Sequence, residues 1–248
     1  MPALIHSFQE LYNRVAKFLG TYGSSGPSGD SLTDAKNVVN DAYRRFLDAY
    51  DWSFLKNEYQ IITSSGTWQY QLPEDFANII GTINYGADEI YPPLEQRSVG
   101  QIRNFRAEND WSSYPEYFAL RAGEYSKEFG QRTDLIFYPT PDAAYPLWFL
   151  YKVEPPKLEN VADIPIGGSE YSGVLLQLCL AEAESSMDEV AGVQEQKAAG
   201  MLAQAINKDV RKRPHTLGYF GVDTISARDI ARGSILTSKV TFDGNVIY

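Results

Sequence analysis

The chain has 248 residues and a formal net charge of -10, with 32 Asp and Glu against 22 Lys and Arg. That length suits one well-packed domain or a core with an appended lobe, and the acidic balance argues against wrapping DNA phosphates as the main role, which needs a basic face. No apolar run approaches the roughly twenty residues of a membrane helix, so neither a signal peptide nor an anchor is expected; the lone Cys179 argues against disulfides and for a reducing compartment.

Leu4, Phe8, Leu11, Tyr12, Val15, Phe18 and Leu19 fall at three- and four-residue spacing, which predicts an amphipathic helix over 3–19. The Gly/Ser stretch 20–30 reads as a flexible loop or linker. A second helix follows, with Ser31 or Thr33 placed to cap it and a stripe of Ala35, Val38, Val39, Ala42, Tyr43, Phe46, Leu47 and Tyr50. Its polar face, Lys36, Asn37, Asn40, Asp41, Arg44, Arg45 and Asp48, is expected in water or against a neighbouring subunit.

After Trp52 and Phe54 the spacing turns to alternation. Tyr59 and Ile61, then Trp68, Tyr70 and Leu72 beyond Ser64-Ser65-Gly66-Thr67, predict a β-hairpin. Further strands are expected over 79–85, 89–94, 117–121, 134–138 and 145–153, with a short helix between Ser98 and Asn109. Pro155-Pro156 ends the strand region.

Beyond Gly168 one stripe of Tyr171, Val174, Leu175 and Leu178 and a second of Leu176, Leu180, Ala183 and Met187 predict a helix buried on two sides. Gly192 kinks or ends it, and Ala198, Met201, Leu202, Ala205, Ile206 and Val210 define a last helix. Arg211-Lys212-Arg213 suits that helix's C-terminal dipole, and Pro214 terminates it. From His215 to Tyr248 no period is sustained. The expected fold class is α+β: a helical bundle core with an inserted antiparallel β region and an extended C-terminal arm. Its parts are N-terminal helices 1–58, β region 59–156, C-terminal helices 157–213 and arm 214–248.

Catalytic signatures are not found. The sequence has no Walker loop, dinucleotide fingerprint, Gly-x-Ser-x-Gly elbow or Cys-x-x-Cys pair, and His6 and His215 lie near opposite ends. Glu184 with Asp188 and Glu182 with Glu189 share helix faces, but the Glu-x-x-His spacing of carboxylate metal sites is missing, so a solvated acidic face is expected. Trp68 and Tyr70 read as sheet core rather than a base-stacking platform. Seventeen Tyr suit extensive subunit interfaces or a β-rich core. Between Lys157 and Lys197 there is no Lys or Arg, so every charged residue is an acid, whereas Lys and Arg predominate from Lys197 onward; an acidic helical region precedes a basic tail.

The order of parts resembles the head-to-tail adaptor (connector) proteins of tailed bacteriophages. The resemblance rests on Asn40-Asp41-Ala42-Tyr43-Arg44-Arg45-Phe46-Leu47, Trp52-Ser53-Phe54, Tyr70-Gln71-Leu72-Pro73-Glu74-Asp75-Phe76, Phe137-Tyr138-Pro139-Thr140-Pro141-Asp142, Trp148-Phe149-Leu150-Tyr151, Pro155-Pro156-Lys157-Leu158 and Ile164-Pro165 ahead of the long helix. It implies a non-enzymatic virion protein of the neck, assembled in the host cytoplasm, with no cofactor or metal and no membrane contact. The implied partners are the portal protein, tail or neck proteins and eleven further copies in a twelvefold ring, through which double-stranded DNA passes without specific binding.

On that footing Glu182, Glu184, Asp188, Glu189 and Glu195 are candidates to line the channel. Arg228, Ile230, Arg232, Ile235, Leu236, Lys239, Val240, Phe242 and Tyr248 are candidates to dock the arm on the portal or a neighbour. The alternatives are another neck or tail-completion (stopper) protein, or a carboxylate-metal hydrolase using Glu182, Glu184 and Asp188.

Overall fold

The computed structural model describes residues 4–24, 26–87, 89–127, 130–188, 192–212, 240–242 and 245–247, the last two segments and Asp188 by backbone alone. Residues 1–210 form one compact unit and 211–248 another. Each is taken by itself.

Four helices share one core: α1 (Phe8–Phe18), α2 (Asp30–Asp48), α4 (Ser169–Asp188) and α5 (Val193–Lys212). The first begins later than its apolar spacing suggests because Ser7 caps it. The Ser7 hydroxyl accepts from the Glu10 amide and the Glu10 carboxylate accepts from the Ser7 amide, a reciprocal capping box. For α2 neither Ser31 nor Thr33 is the cap. Gly29 holds that position with φ +56°, a left-handed backbone that favours glycine, and the Thr33 hydroxyl donates back to the Gly29 carbonyl.

Phe8, Leu11 and Val15 meet Val39, Ala42 and Phe46 of α2, and Leu175, Leu178 and Cys179 of α4, in the helical core. Phe46 lies 4.7 Å from the Trp52 ring and 6.1 Å from that of Tyr171. Val38 and Leu47 are only partly buried. Of α2's polar face Asn37, Asp41, Arg44, Arg45 and Asp48 are exposed, as expected, while Asn40 turns to its own chain: it donates to the Leu158 carbonyl at 3.1 Å and accepts from its amide at 2.8 Å. The second stripe expected on α4 fades at its end, where Met187 is 57% exposed.

A 3-10 turn, Ser53–Leu55, hands the chain to the β region. One sheet has the order β1-β7-β3 (Lys56–Ile62, Pro146–Val153, Phe76–Tyr85). The other has β2-β6-β5-β4 (Gln69–Gln71, Gly130–Tyr138, Tyr117–Ser126, Glu95–Gln96). The expected hairpin is therefore replaced by a crossover: β1 pairs with β7 and β2 with β6. Alternation marks a strand but not its partner. The strand expected over 89–94 reduces to one bridge between Leu94 and Ile83, because Pro92 and Pro93 have no amide to give a ladder.

The inner faces enclose Ile61, Leu147, Phe149 and Tyr151 with Leu72, Phe118, Leu135 and Phe137. Helix α3 (Val99–Glu108), capped by Ser98 and Gln101, covers the outer face of the second sheet through Ile102 on Ala119, Ile136 and Tyr138. In the second unit β8 (Val240–Phe242) and β9 (Asn245–Ile247) pair antiparallel.

Candidate functional site

Two polar constellations tie the helices together, and neither has the layout of a catalytic centre. The first lies where α4 turns into α5. Arg45 of α2 forms a two-pronged pair with Glu195, one arm at 2.9 Å, and approaches Glu182 at 3.6 Å. The hydrogen bonds from Arg45 hold the Glu195 carboxyl below its ordinary range, and those bonds raise the guanidinium in turn. Glu184 acts differently. Its carboxylate accepts from the Gln194 amide at 2.8 Å and so caps the N-terminus of α5. A Cβ on Gly192 would overlap that carboxyl group, so glycine leaves room for the cap. Of the five acids expected to act together, Glu182, Glu184 and Glu195 meet at this turn; the Asp188 side chain and Glu189 lie outside the described residues.

The second constellation was not foreseen. Asp209 on α5 is fully buried and accepts from the Ser53 hydroxyl at 2.5 Å, the Ser53 amide at 3.1 Å and the Tyr171 hydroxyl at 3.2 Å. One carboxylate thus joins α5, α4 and the turn that enters β1. A signal was present: Asp209 follows Ala198 and Ala205 at helical spacing, on the face that points inward.

The other candidate chemical groups are structural. His6 turns its ring to Glu10 at 3.4 Å while its backbone amide donates to Ser172 at 2.8 Å, and His215 lies outside the described residues. Cys179 is buried, and desolvation pushes its thiol well above the usual range, away from the thiolate form. Trp68 lies under the Arg106 guanidinium at 4.2 Å and Tyr70 packs edge-on to Phe137, so neither ring is free to stack on a base. Among the described residues no group of three His, Cys, Asp or Glu is arranged to hold a metal. No described helix is long and apolar enough to cross a membrane.

Of the arm residues, Arg228, Ile230, Arg232, Ile235, Leu236, Lys239 and Tyr248 lie outside the described residues; Val240 and Phe242 are placed by backbone in β8.

No curated protein matches the chain. The family described as SU10 adaptor protein matches residues 7–219, from the cap of α1 to beyond the end of α5. The match takes in the helical layer and the inserted sheets alike, and the chain therefore belongs to the SU10 adaptor protein family, as a structural adaptor protein of a bacteriophage.

Proposed function

We propose that copies of this chain form a ring, twelvefold as the resemblance implies, between the portal and the tail in the virion neck, extending the DNA channel and offering the surface to which the tail attaches. The observation that carries this reading is the family match over the whole helix-sheet-helix body. In it, helices 1–58 and 157–213 form the ring body, residues 59–156 the inserted β region and 214–248 the docking arm. Assembly takes place in the host cytoplasm, and no catalytic step or cofactor is required.

Charge supports the channel. Residues 211–248 carry six Lys and Arg against three Asp, a net of +3, which leaves -13 on residues 1–210. A wall that repels phosphate lets DNA slide without sticking. Glu182, Glu184, Asp188, Glu189 and Glu195 are proposed to contribute to that field, reduced where Arg45 neutralises it.

The basic arm, with Arg228, Arg232 and Lys239 among Ile230, Ile235, Leu236, Val240, Phe242 and Tyr248, is proposed to dock on the portal, weakly per copy and securely through a ring of copies. Full-length chain should bind purified portal-bearing heads that lack it, while a chain ending at Pro214 should stay folded and fail to bind. If full-length chain leaves such heads bare, the neck assignment is wrong; if the shortened chain binds as well as the full one, the arm has no docking role.

A further inference from the structure

At the end of the β region away from the four-helix layer, where α3 leads into one of its loops, the fold builds a stiff, acidic and apolar knob. Strand β7 runs from Pro146 to Val153, and the chain beyond its Val153 end reaches Leu158, clamped to Asn40 of α2. Its Pro146 end is therefore about 25 Å away along the strand. Three loops gather there, over 86–93, 109–116 and 140–146, tied by Gly86 to the Pro146 carbonyl at 2.9 Å and by Thr63 to the Tyr145 carbonyl at 3.0 Å.

Four tyrosines fix the loops to one another. Tyr91 stacks on Tyr114 at 4.3 Å and meets Tyr85 at 5.0 Å and Tyr145 at 5.6 Å. Tyr85 donates to the Pro115 carbonyl at 2.5 Å and Tyr145 to Asp142 at 2.6 Å, so the buried hydroxyls are satisfied. Pro92-Pro93 stiffens the exit from the first loop.

On this support Ile90 is 100% exposed, and Ile62, at the same end of β1, is 61% exposed. A fully exposed isoleucine held by a rigid aromatic base makes an interface anchor that loses little entropy on docking. The described residues of these loops include Glu89, Asp110, Glu116 and Asp142 and no Lys or Arg; Asp110 is paired with Arg106 at 3.3 Å, which leaves Glu89, Glu116 and Asp142 to set the charge. Such a surface repels phosphate and repels a second tip like itself, and it attracts a cationic rim.

We propose that this knob seats Ile90 in an apolar socket rimmed by Lys and Arg on the tail-side protein that follows in the neck. The inference rests on the neck reading, in which the arm serves the portal and a separate surface must meet the next component.

The test uses full-length chain, portal-bearing heads lacking it, and purified tails. Ile90→Asp and Glu89→Lys should melt like the unmodified chain and bind heads to within about twofold. Tail joining should fall by about tenfold or more for each, and joining with unmodified chain should weaken as salt rises. Tail joining by Ile90→Asp within about twofold of the unmodified chain overturns the proposal. So does a loss that appears at the head-binding step, which would turn the knob toward the portal, and so does a rescue of tail joining by free copies of the chain, which would make the socket part of a second copy. Failure of the unmodified chain to bind heads is a separate result and removes the neck reading instead.

Discussion

Asp209 receives both the amide and the hydroxyl of Ser53, so a buried carboxylate near the end of α5 sets the point at which the helical layer hands the chain to β1. Around this pair Trp52, Phe54 and Tyr171 pack ring on ring, with Trp52 at 5.2 Å from Tyr171 and 5.6 Å from Phe54. Removing the acceptor would strand two donors from Ser53 and one from Tyr171 inside that packing. Asp209→Ala should therefore destabilise the chain by about 3 kcal/mol in urea unfolding, and Asp209→Asn by less, because an amide keeps one acceptor. A loss below about 0.5 kcal/mol for the alanine variant would show that the carboxylate is not what fixes the junction.

The Glu184 cap and Gly192 make a coupled pair. Glu184→Ala loses a helix cap, about 1 kcal/mol, and Gly192→Ala should cost a similar amount by pushing the carboxylate off the Gln194 amide. Because both changes break the same bond, the double variant should cost clearly less than the two single losses combined. Strict additivity in a double-mutant cycle would mean that the two residues act separately.

Acid should weaken the Arg45 clamp. The folded-state pKa of Glu195 is depressed, so its contribution is present at neutral pH and is lost as pH falls below the ordinary Glu value and through the lowered one. Both partners are partly exposed and screened, which limits the effect to about 0.5 to 1 kcal/mol. Arg45→Met should be less stable than the unmodified chain at pH 7 by about that amount, and the gap should close as pH falls below the ordinary Glu value and through the lowered one. A gap that stays constant with pH would assign it to lost packing of the Arg45 stem instead.

The helices were legible because their periodicity is driven by burial. Phe8, Leu11 and Val15, or Val39 and Phe46, repeat at the spacing that a buried face imposes. Their caps were less so: Ser31 and Thr33 have the right chemistry, yet the backbone turns at Gly29, and a left-handed glycine leaves little trace beyond its identity. Strand existence was readable at Tyr70 and Ile61, whereas the choice of Leu135 and Leu147 as their partners is set by contacts about 65 and 86 residues away that no local pattern encodes. Within the acidic group, sequence spacing placed Glu182 and Glu184 on one helix, but it held no sign that one meets Arg45 and the other caps α5. Asp209 is hard to read from sequence because an acid in a helix is ordinarily solvated, and only its register with Ala198 and Ala205 marks it as buried.

The ring on the portal is tested most directly by native mass measurement of the purified chain alone and mixed with purified portal ring. The account predicts a discrete complex whose added mass is twelve copies of the 27.8 kDa chain per portal ring. A mixture in which the portal mass stays unchanged at every ratio, or in which copies add without a defined end point, would contradict it.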